Sequence, residues 1–272
     1  MYDLCWVCQK NNSAVYHSSN TTDENKTARL KKQEEHLLQV SRERSLYQEL
    51  VKDAKLTVKD MGWKLGQNDP CSKDITMHYS FDYAQQIHYP SDPMQPGPMY
   101  FLVPRKCGLF GVCCEAIPQQ VNYLIDEAVV TGKGSNAVIS FVHHFFDNWS
   151  LGEKSVHINC DNCSGQNKNN FMVWYLMWRV MTGLHHNVEL HFLLAGHTKF
   201  APDWCFGLIK QKYRRTLTSS LDDFAKVVED SSQVGGFLLL IVNLSHNYKI
   251  RKQCLLKVTV SKKRLLQQML CQ

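Results

Sequence analysis

Residues 75–82, ITMHYSFD, alternate in character and end on an acid. Ile75, Met77, Tyr79 and Phe81 form a greasy set, while Thr76, His78, Ser80 and Asp82 form a polar one. A period of two in β-branched and aromatic residues predicts a strand, with Asp82 in its polar phase at the C-terminal end. Residues 155–161, SVHINCD, repeat the pattern: Val156, Ile158 and Cys160 stand against Ser155, His157, Asn159 and Asp161. Neighbouring strands lie about 4.8 Å apart, so the two terminal carboxylates can share one face of a sheet. A third acid, Asp203, falls in the first turn of a helix that follows another apolar run, residues 188–195 (VELHFLLA). Carboxylates converging at strand ends suit a divalent cation, because hard cations take oxygen ligands. Each acid also has an ordinary reading, Asp203 as dipole complementation and Asp161 as a turn residue.

Working outward from these runs, residues 99–103 (MYFLV) after the QPGP break at 95–98 predict a second strand, and residues 108–115 (GLFGVCCE) a third. Gly132-Lys133-Gly134 opens a helix whose apolar face is Val138, Phe141, Val142, Phe145 and Trp149, the spacing of a core-facing stripe. Asn167 offers an N-cap to an apolar helix over 169–182 that Gly183 ends, and Pro202 fits the first turn of a last helix running to about residue 213. The expected fold is α/β, a mixed five-stranded sheet in the order β-β-β-α-β-α-β-α with flanking helices, over residues 73–232.

Residues 23–60, free of proline and glycine, predict a long charged helix; Leu30, Leu37, Val40, Tyr47, Val51 and Ala54 recur near seven-residue spacing, interrupted by Gln33 and Arg44. This stripe either packs on its own domain or joins two copies into a homo-oligomer. Residues 1–22 read as an incomplete zinc-binding remnant or a disordered segment, and 233–272 as an irregular tail carrying Lys249, Arg251, Lys252, Lys262, Lys263 and Arg264.

The 272 residues carry a formal charge of +6 and are 44% hydrophobic, enough for a sizeable core and compatible with a polyanionic partner. No secretory signal or membrane span is read, so the expected setting is intracellular. Eleven cysteines then read as reduced thiols rather than a disulfide framework. Two Cys-x-x-Cys pairs occur. In Cys160/Cys163 the first thiol sits in the apolar phase of its strand, pointing away from Asp161. Cys5/Cys8 make half a zinc module, with His17 as one available partner; two ordinary thiols are the favoured reading, and zinc is not expected.

Residues 161–170, DNCSGQNKNN, place many amide side chains and a glycine ahead of a buried helix. Asn162, Gln166, Asn167 and Lys168 there can bind phosphates or bases, or can serve as an elaborate cap. Residues 196–199, GHTK, present His197 and Lys199, and Lys210, Arg214 and Arg215 extend a basic rim that suits nucleic acid as well as helix-end charge balance.

Residues 81–85 (FDYAQ), the 161–170 run and residues 196–203 (GHTKFAPD) resemble an uncharacterised domain family of transposon-derived eukaryotic proteins, whose element order is similar to the ribonuclease-H-like fold of DDE/DDD transposases and integrases. The resemblance covers residues 75–232. It implies a nuclear enzyme that cleaves or transfers DNA strands, with Asp82, Asp161 and Asp203 as catalytic metal ligands for two Mg²⁺ or Mn²⁺ ions; His197 reads, from its own surroundings, either as a further catalytic contact to phosphate or metal or as a hydrogen-bonded structural histidine. Asp222, Asp223, Glu229 and Asp230 compete with Asp203 as third acid. Two other readings stand beside it: a domesticated, inactive relative that binds nucleic acid or protein, and an α/β metal-dependent phosphoester hydrolase.

Overall fold

The computed structural model describes residues 5–17, 22–94, 97–101, 103–128, 132–231 and 238–243. A helical hairpin, α1 (Trp6–Tyr16) and α2 (Asp23–Val58), leads into β1 (Lys73–Tyr83), the short β2 (Ile87–Tyr89) and a single turn, α3 (Gly97–Tyr100). Then come β3 (Arg105–Cys114), β4 (Gln119–Asp126), α4 (Ser135–Asn148), β5 (Glu153–Cys160), α5 (Asn170–Met181), β6 (Asn187–Phe192), α6 (Ala201–Tyr213), α7 (Leu221–Ser231) and β7 (Leu238–Asn243). The protein is α/β with one mixed seven-stranded sheet in the order β6-β5-β1-β3-β4-β7, and β2 pairs the outer end of β3. The pairs β1–β3 and β3–β4 are antiparallel, while β1–β5, β5–β6 and β4–β7 are parallel.

The alternation in β1 sorts its side chains as expected. Met77, Tyr79 and Phe81 enter one core with Val156 and Ile158 of β5, Val121 and Tyr123 of β4, and the buried stripe of α4 (Val138, Phe141, Val142, Phe145). Aromatic contacts knit this layer, among them Tyr79 to Phe145 at 5.2 Å and Phe110 to Phe141 at 5.2 Å. The other face carries a second core, in which Cys107, Leu109 and Leu124 meet Cys205, Phe206 and Ile209 of α6 and Phe224, Val227 and Val228 of α7. Both faces of β1 are therefore covered, and even its polar His78 and Ser80 are buried.

The polar phase is covered partly by α2. Tyr47 stands edge-on to His78 at 5.3 Å and to Phe200 at 6.4 Å, and its hydroxyl donates to Glu115. Val51 and Ala54 are buried below it. The inner stripe of α2 thus packs on its own sheet, while Leu30, Leu37, Leu38 and Leu46 stay exposed.

Three expectations are corrected. None of the described residues in 99–103 is in a strand: the apolar run is clipped by Pro98 and Pro104, which cannot donate to a ladder, and Phe101 and Val103 are 84% and 94% exposed. The third antiparallel strand is instead β4, whose Gln119, Gln120 and Asn122 hid it; in the fold Gln120 donates to Asn122 at 2.8 Å and both are buried. Among the described residues the sheet has seven strands rather than five, since β2 joins it and β7 extends it beyond residue 232. The basic tail read after residue 243 lies outside the described residues.

Candidate metal centre at the carboxyl ends of β1 and β5

Parallel pairing of β1 with β5 sets Ser80 against Asn159. Asp82 and Asp161 each follow two residues later, so they sit at the same level and in the same phase. On its other side Asp82 faces Gly111 of β3. A Cβ at Gly111 would lie 2.9 Å from the Phe206 ring and 2.6 Å from Gln120 Nε2. The bare backbone lets α6 come down onto the sheet, and α6 brings Asp203 in its first turn. Gly111→Ala is therefore expected to push α6 outward and cost about 1–3 kcal/mol, the range for overpacking; a urea midpoint unchanged from wild type would contradict this packing.

The three carboxylates share one electrostatic field. Burial, followed by the charges of Asp161 and then Asp203, pushes the Asp82 carboxyl up to about 7, against a smaller opposing pull from the Tyr83 N–H. Asp222, Asp223, Glu229 and Asp230 are not among these influences: Asp223 accepts from the backbone of Ser219 and Ser220 at the start of α7, and Asp230 lies 3.8 Å from Lys212.

Each acid is also oriented locally. Asp82 Oδ1 accepts from Tyr83 N at 2.7 Å, Asp161 Oδ1 from Cys163 N at 3.3 Å and from the Asn167 amide, and Asp203 Oδ2 from Phe200 N at 3.2 Å. The last contact is the dipole-complementing geometry expected of an acid in a first helical turn.

The loop at 161–170 is largely a cap. Cys163 O accepts the N–H groups of Gln166, Asn167 and Lys168. Asn169, not Asn167, is the N-cap of α5, accepting from Phe171 N at 3.1 Å and Met172 N at 3.2 Å. Asn167 is buried and its amide donates to the Asp161 carboxylate; Asn162 and Gln166 are half-buried. Lys168, Lys199, Arg214 and Arg215 are exposed, whereas Lys210 donates to Gln85 at 2.6 Å and ties α6 to the end of β1. His197 turns Nε2 to Cys8 Sγ at 3.4 Å. Cys160 is buried in the core behind Asp161, as its phase predicts.

Just past Asp82, Tyr83 and Gln86 line a cavity of about 350 Å³ with Lys106, Glu127 and Lys133. Lys133 lies over the Tyr83 ring at 5.3 Å, and burial lowers its pKa. These two lysines were missed in the sequence; only the glycines flanking Lys133 hinted at a close backbone approach.

Residues 106–270 match the family described as "Domain of unknown function (DUF7869)". The chain belongs to this family. The DUF7869 match takes in Asp161, Asp203 and His197 and starts in β3, so Asp82 on β1 and the whole helical hairpin precede it. No curated protein and no solved structure gives a significant match. No helix among the described residues is long and apolar enough to cross a membrane.

Proposed function

We propose that this DUF7869 protein is a divalent-metal-dependent enzyme that cleaves or transfers DNA strands, with Asp82, Asp161 and Asp203 as the metal-binding acids. The observation that carries the reading is the convergence of three carboxylates from separate elements: the β1–β5 register sets Asp82 level with Asp161, and burial, with the charges of Asp161 and Asp203 added to it, raises Asp82 to about 7. A cluster with that much uncompensated negative charge gains stability from a cation, and its all-oxygen donor set suits Mg²⁺ or Mn²⁺. The three acids are not among the groups whose ligand atoms all lie within 4.8 Å of one another. A two-ion clamp tolerates a wider span than a single ion does, because its ions sit about 3.5–4 Å apart.

When bound, the ion pair supplies Lewis-acid stabilisation of the attacking and leaving oxygens of an in-line displacement at phosphorus. The protein's own part is placement. The parallel β1–β5 register holds Asp82 and Asp161 level, Gly111 admits α6, and Asn167 fixes the Asp161 carboxylate. Exposed Lys168, Lys199, Arg214 and Arg215 supply positive charge for a polyanion. The element order, three antiparallel strands followed by alternating helices and parallel strands, supports a ribonuclease-H-like, transposase-related reading and with it a nuclear setting. Exposed Leu30, Leu37 and Leu38 on α2 support a homo-oligomer through that helix.

Incubation of the purified chain with labelled duplex DNA and Mn²⁺ tests the proposal. Strand cleavage is expected, falling on the order of 10²-fold or more in Asp161→Asn, the size of effect when one group stabilising developing charge is lost. Cleavage that persists unchanged in Asp161→Asn contradicts the assignment. Salt-sensitive DNA binding without cleavage would favour the inactive, domesticated reading that the exposed basic residues also support, and turnover of a small phosphoester without DNA affinity would favour the hydrolase.

A further inference from the structure

Four side chains from three separate segments converge away from the three acids. Cys5 and Cys8 come from the start of α1, His36 from the middle of α2 and His197 from the connection between β6 and α6. Their ligand atoms all lie within 4.8 Å of one another. Cys5 Sγ is 3.4 Å from His36 Nε2, and Cys8 Sγ is 3.4 Å from His197 Nε2, with the two imidazole rings 5.4 Å apart. We propose that these four residues hold a structural zinc ion that fastens the N-terminal helical hairpin to the loop preceding Asp203.

The geometry matches that ion. Zn–S near 2.3 Å and Zn–N near 2.0–2.1 Å at a tetrahedral angle require a sulfur–nitrogen separation of about 3.6 Å. A pair of thiol–imidazole hydrogen bonds would account for each 3.4 Å contact singly, but not for both pairs closing on one point. Two thiolates balance the charge of Zn²⁺, and four protein ligands leave no open position, which marks a structural rather than a catalytic site. His17, the partner suggested by sequence, bonds back to Ser13 instead.

The backbone is built around the contact. Gly196 has φ +84, and a Cβ there would lie 2.5 Å from Cys5 Cα. The residue beside His197 must therefore lack a side chain for Cys5 to approach. Arg29 donates to Ala14 O at 2.6 Å, so α1 and α2 present their ligands as a unit. Cys8 and His197 are 189 residues apart, and an ion joining them closes a very long loop, removing much chain entropy from the unfolded state. Asp203 stands six positions after His197, so the same ion would steady one corner of the acidic cluster.

The inference is independent of strand cleavage, and metal content tests it directly. The reduced 272-residue chain, loaded with Zn²⁺ and dialysed against a weak chelator, is expected to retain one zinc per chain. Cys8→Ala and His36→Asn should each lose it; His36 is half-buried on a helix surface, so the second variant keeps its helical circular dichroism. Co²⁺ in place of zinc should give thiolate charge-transfer and tetrahedral d–d bands that vanish in Cys8→Ala. A folded wild type that retains no zinc overturns the proposal. So does zinc retained equally by wild type and both variants, which would place it elsewhere, for example at His157, Glu189 and His191, another group with ligand atoms within 4.8 Å.

Discussion

Asp82→Asn is expected to make the metal-free protein more stable at pH 8, while leaving it nearly unchanged at pH 3. The folded-state carboxyl titrates at about 7 against an ordinary 3.8. Between those values the folded protein keeps a proton that the unfolded chain has released, so stability falls as pH rises. Below 3.8 both states are protonated and Asp82 costs nothing. Above about 7 the full penalty is present, up to about 4 kcal/mol for a shift of roughly three pKa units. Residual solvent contact of the half-buried side chain lowers it from that ceiling. Asn keeps the oxygen that accepts from Tyr83 N and removes the charge.

Thermal melts in chelator should therefore show the variant several degrees above wild type at pH 8, with the gap closing as pH falls. Mn²⁺ should raise the wild-type midpoint at pH 8 and have little effect on Asp82→Asn. Equal melting temperatures across the range would remove the argument that this acid is held against its electrostatic preference, a trade that makes sense at a site built for a cation.

Arg179→Met should destabilise the protein by about 3–5 kcal/mol, the cost of breaking a buried charge arrangement by removing one partner. Arg179 is 2% exposed yet lies on α5 in the core. Its Nε donates to His185 Nδ1 at 3.1 Å, and its Nη1 donates to the Tyr175 hydroxyl at 3.1 Å and lies 3.1 Å from His143 Nδ1. The guanidinium also stacks over Phe146 at 4.6 Å. His185 Nε2 lies 3.7 Å from Glu153, itself 1% exposed, so the buried cation and anion are linked through one imidazole. Burial lowers the His185 pKa, leaving a neutral ring between the two charges near pH 7.

Met replaces the stem but leaves the Glu153 charge uncompensated. Adding Glu153→Gln to Arg179→Met should recover part of the loss, since the second change removes the stranded anion. Urea midpoints of the two single variants and the double variant form the cycle that checks this. Simple additivity would show that the cation and anion do not communicate.

Much of the acidic cluster was legible in the chain because strand phase is local. The period of two in residues 75–82 and 155–161 places both aspartates opposite the core set, and a slip by one residue would bury them among aromatics. The N-terminal module was not legible. Cys5 and Cys8 announce themselves by spacing, but His36 sits mid-helix with no motif around it, and His197 comes from the other end of the molecule. The antiparallel pair β3–β4 was half read, because β4 carries buried amides, and Asn122 finds its acceptor in Leu240 O of β7 only once the sheet is assembled.

The sequence by itself determined the alternation of β1 and β5, the amphipathic stripe of α4 and the termini at which Asp82, Asp161 and Asp203 stand, since these depend on neighbours a few residues away. Only the tertiary structure decided that Asp203 rather than Asp222, Asp223, Glu229 or Asp230 adds its charge to Asp82 and Asp161, that the Asn167 amide reaches the Asp161 carboxylate, and that two cysteines near one end meet two histidines from α2 and the β6–α6 connection. Those outcomes depend on contacts between segments up to 189 residues apart, and on glycines whose missing side chains let backbones touch. No local pattern encodes such distances.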